Sequence, residues 1–405
     1  MDYILLGAPM HVNWNYTYRC NLNCMHCYSR TRTDVGELST EDKLSVAKNL
    51  VKSKVFTVNL GGGEPLLCND VFEIIEYLAS NGVHVNLSTN GWKLTDEKVE
   101  KLKKAGLKGV SVSIDHTDKE IHDSIRGCLG CFDEVCSSIK KYVNAGMKVF
   151  ISTTITSKNY DVLENIIQLG VSLGVYGLDF KRLKTMGNAY ARTDLEITDT
   201  QRDLLYENIK IWKEKYPVNI NLVYGTEHIK GIDAGCPCGK TSLAIMCNGD
   251  ISPCVYNTYK IGNAVNDNIH EIWCNSNALK YLRENFSCLG LSRRIKTMYQ
   301  LKKDVIFQKD YRIDDSVSIA EYIKNPESED IIPDEAIAVV AVDGVPYELN
   351  LTGAIILEEI IVGKNFTEIA DTMSALFQIS EEKAMSTVQS YADNLVELNI
   401  LEREH

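Results

Sequence analysis

Six short runs rich in Val, Ile and Thr, each set off by a helical pattern, occupy residues 9–215 and leave little freedom in the choice of fold. The runs are His11–Tyr16, Val55–Leu60, Val83–Ser88, Gly109–Ile114, Val149–Ile155 and Val175–Phe180. Between them, Thr40 is placed to cap a helix with Leu44, Ala47 and Val51 on one face. Thr95 is placed to cap another, with Val99, Leu102 and Ala105, ended by Gly106. Leu163, Ile166 and Ile167 mark a third, near Gly170 and Gly174. Alternation of this kind predicts an α/β fold with a parallel sheet. Six units are too few to close an eight-unit barrel, so residues 1–225 are expected to form a partial (β/α)6 TIM-like barrel with its site at the carboxyl ends of the strands.

Beyond this region the pattern changes. Leu243–Met246 and Ile251–Val255 flank Asn248-Gly249-Asp250, a hairpin signal inside a small extension expected over 226–300. Residues 301–332 are charged and weakly periodic and predict a linker, most polar at Asn325–Asp330. From 333 to 405 a further domain is expected: Ile337–Val342 and Val345–Asn350 flank Asp343-Gly344, followed by helical patterns over Thr352–Val362, Thr367–Leu376 and Ser380–Leu398. In the last, Ala384, Val388, Tyr391 and Leu395 share a face, Ser380 is the cap, and Glu381 and Glu382 favour the first turn. A hairpin with three helices is a winged-helix-like arrangement.

A net charge of −12 lacks the basic face that nucleic acid requires. No apolar run is long enough to span a bilayer, and the start, Met1-Asp2-Tyr3-Ile4, carries no secretory signal, so a cytoplasmic location is expected. Thirteen cysteines, an odd number, in 405 residues argue against a disulfide scaffold and for metal or redox chemistry. They gather at 20–27, 128–136 and 236–254.

Cys20, Cys24 and Cys27 follow the first strand with the spacing C-x3-C-x2-C. Three thiolates hold three irons of a cubane and leave the fourth open for a ligand. A zinc site would need a fourth ligand, and His26 lies too close to its neighbours for easy tetrahedral geometry. Inert core cysteines are the plainer alternative. After the second strand comes Gly61-Gly62-Gly63-Glu64-Pro65, where glycines allow close backbone approach and carbonyls can accept from an ammonium. Ser88-Thr89-Asn90-Gly91 ends the third strand, and Ser113-Ile114-Asp115 with His122-Asp123-Ser124-Ile125-Arg126-Gly127 follows the fourth.

Together these motifs resemble the radical S-adenosylmethionine (SAM) superfamily, with His26 at the position its signature gives to an aromatic residue. The resemblance implies a [4Fe-4S] cluster on Cys20, Cys24 and Cys27, with SAM chelating the open iron. One electron then yields methionine and a 5′-deoxyadenosyl radical that abstracts a substrate hydrogen. It implies that the backbone of Gly62, Gly63, Glu64 and Pro65 holds the SAM amino group and that Ser113 and Arg126 contact ribose and carboxylate respectively; as short polar side chains at a strand end, Ser88 and Asn90 are placed to meet ribose or carboxylate. Asp115 stays open as a ribose ligand, a catalytic base toward substrate, or a turn former. Thr154 and Lys181-Arg182-Leu183 lie at later strand ends and line the adenine or substrate pocket or an exposed loop.

Cys128, Cys131 and Cys136 have the look of a cluster site, although the resemblance places the start of a helix at Cys131-Phe132. Cys238 and Cys254 bracket Gly249 as C-x10-G-x4-C, similar to the opening of a SPASM/twitch extension, with Gly262-Asn263 and Ile272-Trp273 as its continuation. The expected C-x2-C-x5-C-x3-C is missing; only Cys274 and Cys288 follow. One auxiliary Fe–S cluster, on Cys236 or Cys238, Cys254, and Cys247 or Cys288, is therefore implied in a degenerate extension, with a metal-free extension as the alternative. Gly239-Lys240-Thr241 is not a phosphate loop, because Ala234 stands where its first glycine belongs.

The stretch from Tyr347-Glu348-Leu349-Asn350 to Leu398-Asn399-Ile400-Leu401, with Gly363 before Thr367-Glu368-Ile369-Ala370, resembles PqqD-type peptide-recognition domains. Such a domain takes the leader of a ribosomally made precursor as an added strand. A DNA-binding winged helix is disfavoured by the acidic Ser380–His405. The expected function is that of a peptide maturase served by an external one-electron donor such as a flavodoxin or ferredoxin, with no nucleic-acid or membrane partner. Radical modification of a small molecule or cofactor precursor, and a non-catalytic peptide-binding scaffold, are the alternatives.

Overall fold

In the computed structural model the first strands alternate strictly between apolar and polar residues. Strands β1 (His11–Thr17), β2 (Thr57–Gly62), β3 (His84–Thr89), β4 (Gly109–Ser113), β5 (Lys148–Ile155), β6 (Gly177–Arg182) and β7 (Asn219–Val223) lie parallel in sequence order. Helices α1 (Thr40–Lys52), α2 (Val71–Ser80), α3 (Asp96–Lys104), α4 (Lys119–Arg126), α5 (Cys131–Asn144), α6 (Leu163–Leu173) and α7 (Asp199–Lys215) fill the crossovers. Val12, Val58, Val85, Val110, Val149 and Leu178 are buried, as are Val46, Ile74, Ile139 and Ile166 on the helices, and these rows make the core. Parallel strands covered on both sides usually read as unbroken apolar runs. Here the second face is polar. Asn13, Asn59 and Asn86 stand in register on three adjacent strands, and Asn13, Asn59, Ser88, Ser113, Ser152 and Lys181 line a cavity.

The six expected units are present, with ends displaced by one or two residues, and α7 and β7 add a seventh strand. Thr95 caps α3 as expected, accepting from the Lys98 N–H at 3.3 Å. The α1 cap is Ser39 rather than Thr40: Ser39 Oγ accepts from Asp42 N–H, while Thr40 Oγ1 donates to Asp70.

The structure describes residues 7–29, 36–184, 187–189, 192–223, 237–256, 260–276, 279–280, 283, 294–300, 306–308, 311–313, 317–323, 338–342, 345–349, 351–361, 364–377, 379–397 and 401–403. The chain divides into one unit of Met1–Tyr256 with Gly262–Asn275 and a second of Asn257–Ile261 with Ser276–His405. The expected hairpin appears as β8 (Ser242–Ile245) and β9 (Asp250–Ser252), followed by β10 (Gly262–Asn263) and α8 (Ile269–Asn275). Strand β8 pairs in parallel with β1, so this extension continues the large sheet instead of standing as a separate body.

In the second unit, β11 (Arg294–Gln300), β14 (Val317–Ile323), β15 (Ala338–Val342) and β16 (Val345–Leu349) form an antiparallel sheet in that spatial order. Strands β12 (Ile306–Gln308), β13 (Tyr311–Ile313) and β17 (Leu401–Arg403) form another. The stretch 301–332, expected to be a linker, thus holds three strands. The hairpin β15–β16 and three helices, α9 (Leu351–Ile361), α10 (Phe366–Phe377) and α11 (Glu381–Glu397), fall where expected. The Asp343-Gly344 turn lies outside the described residues. On α11 the buried set is Ala384, Val388, Ala392 and Leu395; Ala392, not Tyr391, completes the stripe. Among the described residues no helix is long and apolar enough to cross a membrane.

Candidate active site

Cys20, Cys24 and Cys27 sit on the loop that leaves β1, and all three line one cavity at the carboxyl ends of the parallel strands. Donors surround the sulfurs. Cys20 Sγ accepts from Leu22 N–H at 3.5 Å and Asn90 Nδ2 at 3.8 Å; Cys24 Sγ accepts from Arg126 Nη1 at 3.6 Å; Cys27 Sγ lies 3.3 Å from Ser29 Oγ. Burial pushes the Cys20 and Cys24 thiols up, and at Cys24 the Arg126 guanidinium works against that rise. Among the described residues no three His, Cys, Asp or Glu side chains close on a single metal ion. Cubane thiolates each take a separate iron and stand further apart than the ligands of one ion. Three sulfurs opening on one cavity therefore suit a cluster with an open corner better than a zinc site.

The glycine motif shapes this loop from one side. Gly62 has φ +101°, and side chains at Gly62 and Gly63 would run into the carbonyls of Thr17 and Arg19. Gly63 N–H donates to Thr17 O at 2.6 Å and Glu64 N–H to Arg19 O at 2.8 Å. Gly62 and Gly63 line the cavity; Glu64 and Pro65 lie behind it. Burial pushes the Glu64 carboxyl up. Its oxygens accept from Thr89 Oγ1 at 2.9 Å, Leu66 N–H at 3.1 Å and Asn90 N–H at 2.7 Å, buckling the ends of β2 and β3 together.

Behind the cysteines lies a buried charge network. Asp115 is completely buried and does not line the cavity. Arg126 Nη2 approaches its Oδ2 at 2.8 Å, a charge contact without hydrogen-bond geometry. Thr154 N–H donates to its Oδ1 at 2.9 Å, and His26 Nε2 lies 3.6 Å from Oδ2. Burial alone would raise the Asp115 carboxyl, but Arg126 and His26 outweigh it and hold it below the usual range. Burial lowers the pKa of His26 and pushes that of His122 down to about 4. With no exposed surface, Asp115 is poorly placed as a base toward substrate. It orients Arg126, which does reach the cavity.

Ser88, Asn90, Ser113, Thr154 and His26 also line the cavity, with Lys181 and Arg182 at the end of β6. Sequence reasoning missed Asn13, Asn59, Ser152, Tyr28 and Tyr256. The signal for the first three was the polar residue at every second strand position. Tyr28 donates to Asn15 Oδ1 at 3.0 Å and meets Tyr256 edge-on at 5.1 Å. Cys128, Cys131 and Cys136 do not line this cavity; Cys131 opens α5, as the resemblance implied. Cys247 is fully buried in the core, and Cys254 Sγ accepts from Tyr256 N–H at 3.3 Å. Cys238 is half-buried, while Cys236 and Cys288 lie outside the described residues.

Comparison with known proteins agrees with this geometry. The radical SAM superfamily matches residues 14–170, and the iron-sulfur cluster-binding domain SPASM matches residues 236–294. The mycofactocin maturase MftC of Mycolicibacterium smegmatis is 31% identical over 294 residues, covering 69% of this chain and 74% of that protein. The AdoMet-dependent heme synthase of Methanosarcina barkeri is 30% identical over 301 residues, covering 69% and 86%. The subtilosin biosynthesis protein AlbA of Bacillus subtilis is 27% identical, covering 65% and 61%. In fold, the crystal structure of Streptococcus suis SuiB superposes with a TM-score of 0.59 at 18% identity, covering 69% of each chain. The chain belongs to the radical SAM superfamily of enzymes, with a [4Fe-4S] cluster and SAM as cofactors and an iron-sulfur cluster-binding SPASM domain after the parallel sheet.

Proposed function

We propose that this enzyme modifies a ribosomally made precursor peptide by radical chemistry. The observation that carries the reading is the single cavity shared by Cys20, Cys24 and Cys27, the Gly62-Gly63 backbone and Arg126. When bound, the cluster and SAM supply an organic radical able to take hydrogen from an unactivated C–H bond. The chain's own groups do the rest. Gly62 and Gly63 offer backbone to the SAM ammonium, with Glu64 and Pro65 bracing them. Ser88, Asn90 and Ser113 meet the ribose, and Arg126, oriented by Asp115, takes the carboxylate. His26 closes the wall beside the cluster. Cys238 and Cys254 are assigned to one auxiliary cluster.

Relatives named as a mycofactocin maturase and a subtilosin biosynthesis protein support a peptide substrate, as does the solved structure of SuiB bound to its precursor peptide SuiA. So does the second unit, whose hairpin and three helices resemble a PqqD-type winged-helix-like domain. Strand β16 ends the order of its sheet, which suits addition of a leader strand there. A flavodoxin or ferredoxin would deliver the electron in the cytoplasm. The heme synthase relative favours a second reading, a small cofactor precursor as substrate.

Anaerobic reconstitution tests both. 5′-Deoxyadenosine is measured with SAM alone, with peptides encoded beside the gene, and with iron-free tetrapyrroles. Stimulation by a peptide supports the first reading and stimulation by a tetrapyrrole alone replaces it; no SAM cleavage at all removes both. Iron near about four per chain indicates a single cubane and near about eight an auxiliary one.

A further inference from the structure

We infer that Asn188, on the short turn after β6, is a positioning residue that clasps the cluster loop from the side opposite in sequence to the glycine motif. The loop from Tyr18 to Ser29 has no helix or strand of its own and cannot hold three sulfurs in place unaided. Outside segments grip its backbone, among them Glu37, whose Oε1 accepts from Tyr18 N–H at 3.0 Å. The glycine motif takes the carbonyls of Thr17 and Arg19. The end of α4 takes Met25, whose N–H donates to Ile125 O at 2.9 Å, and Gly127 packs against Asn23 O.

Asn188 is a further grip. Its backbone N–H donates to Cys27 O at 2.8 Å, and its side-chain amide donates to Cys24 O at 2.9 Å and Asn23 Oδ1 at 3.1 Å. One residue thereby fixes the peptide groups of two of the three cysteines, across 164 positions of sequence for Cys24. Gly187 lets the turn come this close: it has φ +59°, and a side chain there would strike the Cys27 carbonyl. The same segment begins at Lys181, Arg182 and Lys184, which line the cavity. The cavity wall and the cluster loop are therefore joined through one short stretch of chain.

Two side-chain hydrogen bonds to a ligand-bearing loop contribute mainly to retention of the metal. The test uses the full, anaerobically reconstituted enzyme and compares wild type with Asn188→Ala and Asn188→Asp. Asn188→Asp removes both side-chain donors and sets a carboxylate against Cys24 O. Iron release to a chelator is followed together with the electron paramagnetic resonance signal of the dithionite-reduced cluster, and thermal unfolding of the iron-free protein monitors the fold. Asn188→Ala is expected to release iron about tenfold faster and Asn188→Asp faster still, with an altered resonance signal and unchanged apo-protein melting. Release rates within about twofold of wild type in both variants overturn the inference. Faster release accompanied by a matching fall in apo-protein melting also overturns it, by assigning Asn188 to the fold alone. A wild-type protein that takes up no iron would instead refute the enzyme reading itself, and with it this one.

Discussion

Two cysteine trios of nearly equal spacing meet opposite fates. Cys20, Cys24 and Cys27 sit on irregular backbone, face one cavity and receive hydrogen bonds from Asn90, Arg126 and Leu22. Cys131 and Cys136 lie on the regular helix α5, five residues and so about 140° apart around its axis. Cys131 Sγ donates to Asp123 Oδ1 at 3.4 Å, and burial together with that carboxylate pushes its thiol far up. Burial also pushes Cys136 up to about 11. A thiolate wants donors and cations around it; Cys24 has the Arg126 guanidinium, whereas Cys131 faces the Asp123 carboxylate. Spacing alone does not separate the two trios; backbone form and the cavity set them apart.

The comparison is easiest to break by substitution. Replacing Cys20, Cys24 or Cys27 with Ala is expected to abolish SAM cleavage and remove the cluster's iron. Cys128→Ser and Cys136→Ser should leave both within about twofold; iron lost from either of the latter would put a second cluster at the start of α5. Next in size, Arg126→Met leaves Asp115 buried without its cation. Chemical denaturation should then show a loss of about 3–5 kcal/mol, partly recovered in the double variant with Asp115→Asn. Gly63→Ala drives a methyl group into the Arg19 carbonyl at the root of the first trio. Its urea midpoint should fall by the equivalent of about 1–3 kcal/mol, with faster iron loss alongside.

A pH-dependent effect belongs to His122, on the helix between the trios. Its ring is fully buried against Phe132 and accepts from Asp115 N–H at 3.3 Å, and burial lowers its pKa from 6.5 to about 4. The unfolded chain takes up a proton below about 6.5 that the folded chain refuses until about 4. Stability therefore declines as pH falls through that window and is level above it. His122→Asn should flatten the slope in denaturation curves recorded across those pH values; an unchanged slope would mean the ring is already charged in the fold.

Much of this was readable from local pattern. The β1–β6 runs place an apolar residue at nearly every second position, and the cysteine and glycine motifs are each compact in sequence. Strand β7 escaped notice because Asn219–Val223 is short and largely exposed. The three strands in 301–332 are set among charged residues that give the stretch the look of a linker. Asp115 leaves three roles open in the sequence, and only the structure shows it buried beside Arg126. The contacts of Asn188 join residues that no motif connects.

The wet side of the parallel sheet has a consequence for divergence. Side chains of the core and side chains that line the cavity alternate along the same strands. A change at Asn13, Asn59, Ser152 or Lys181 alters what the chamber welcomes without disturbing the oily layer beneath the helices. New specificities are thus within reach of single replacements that leave folding untouched.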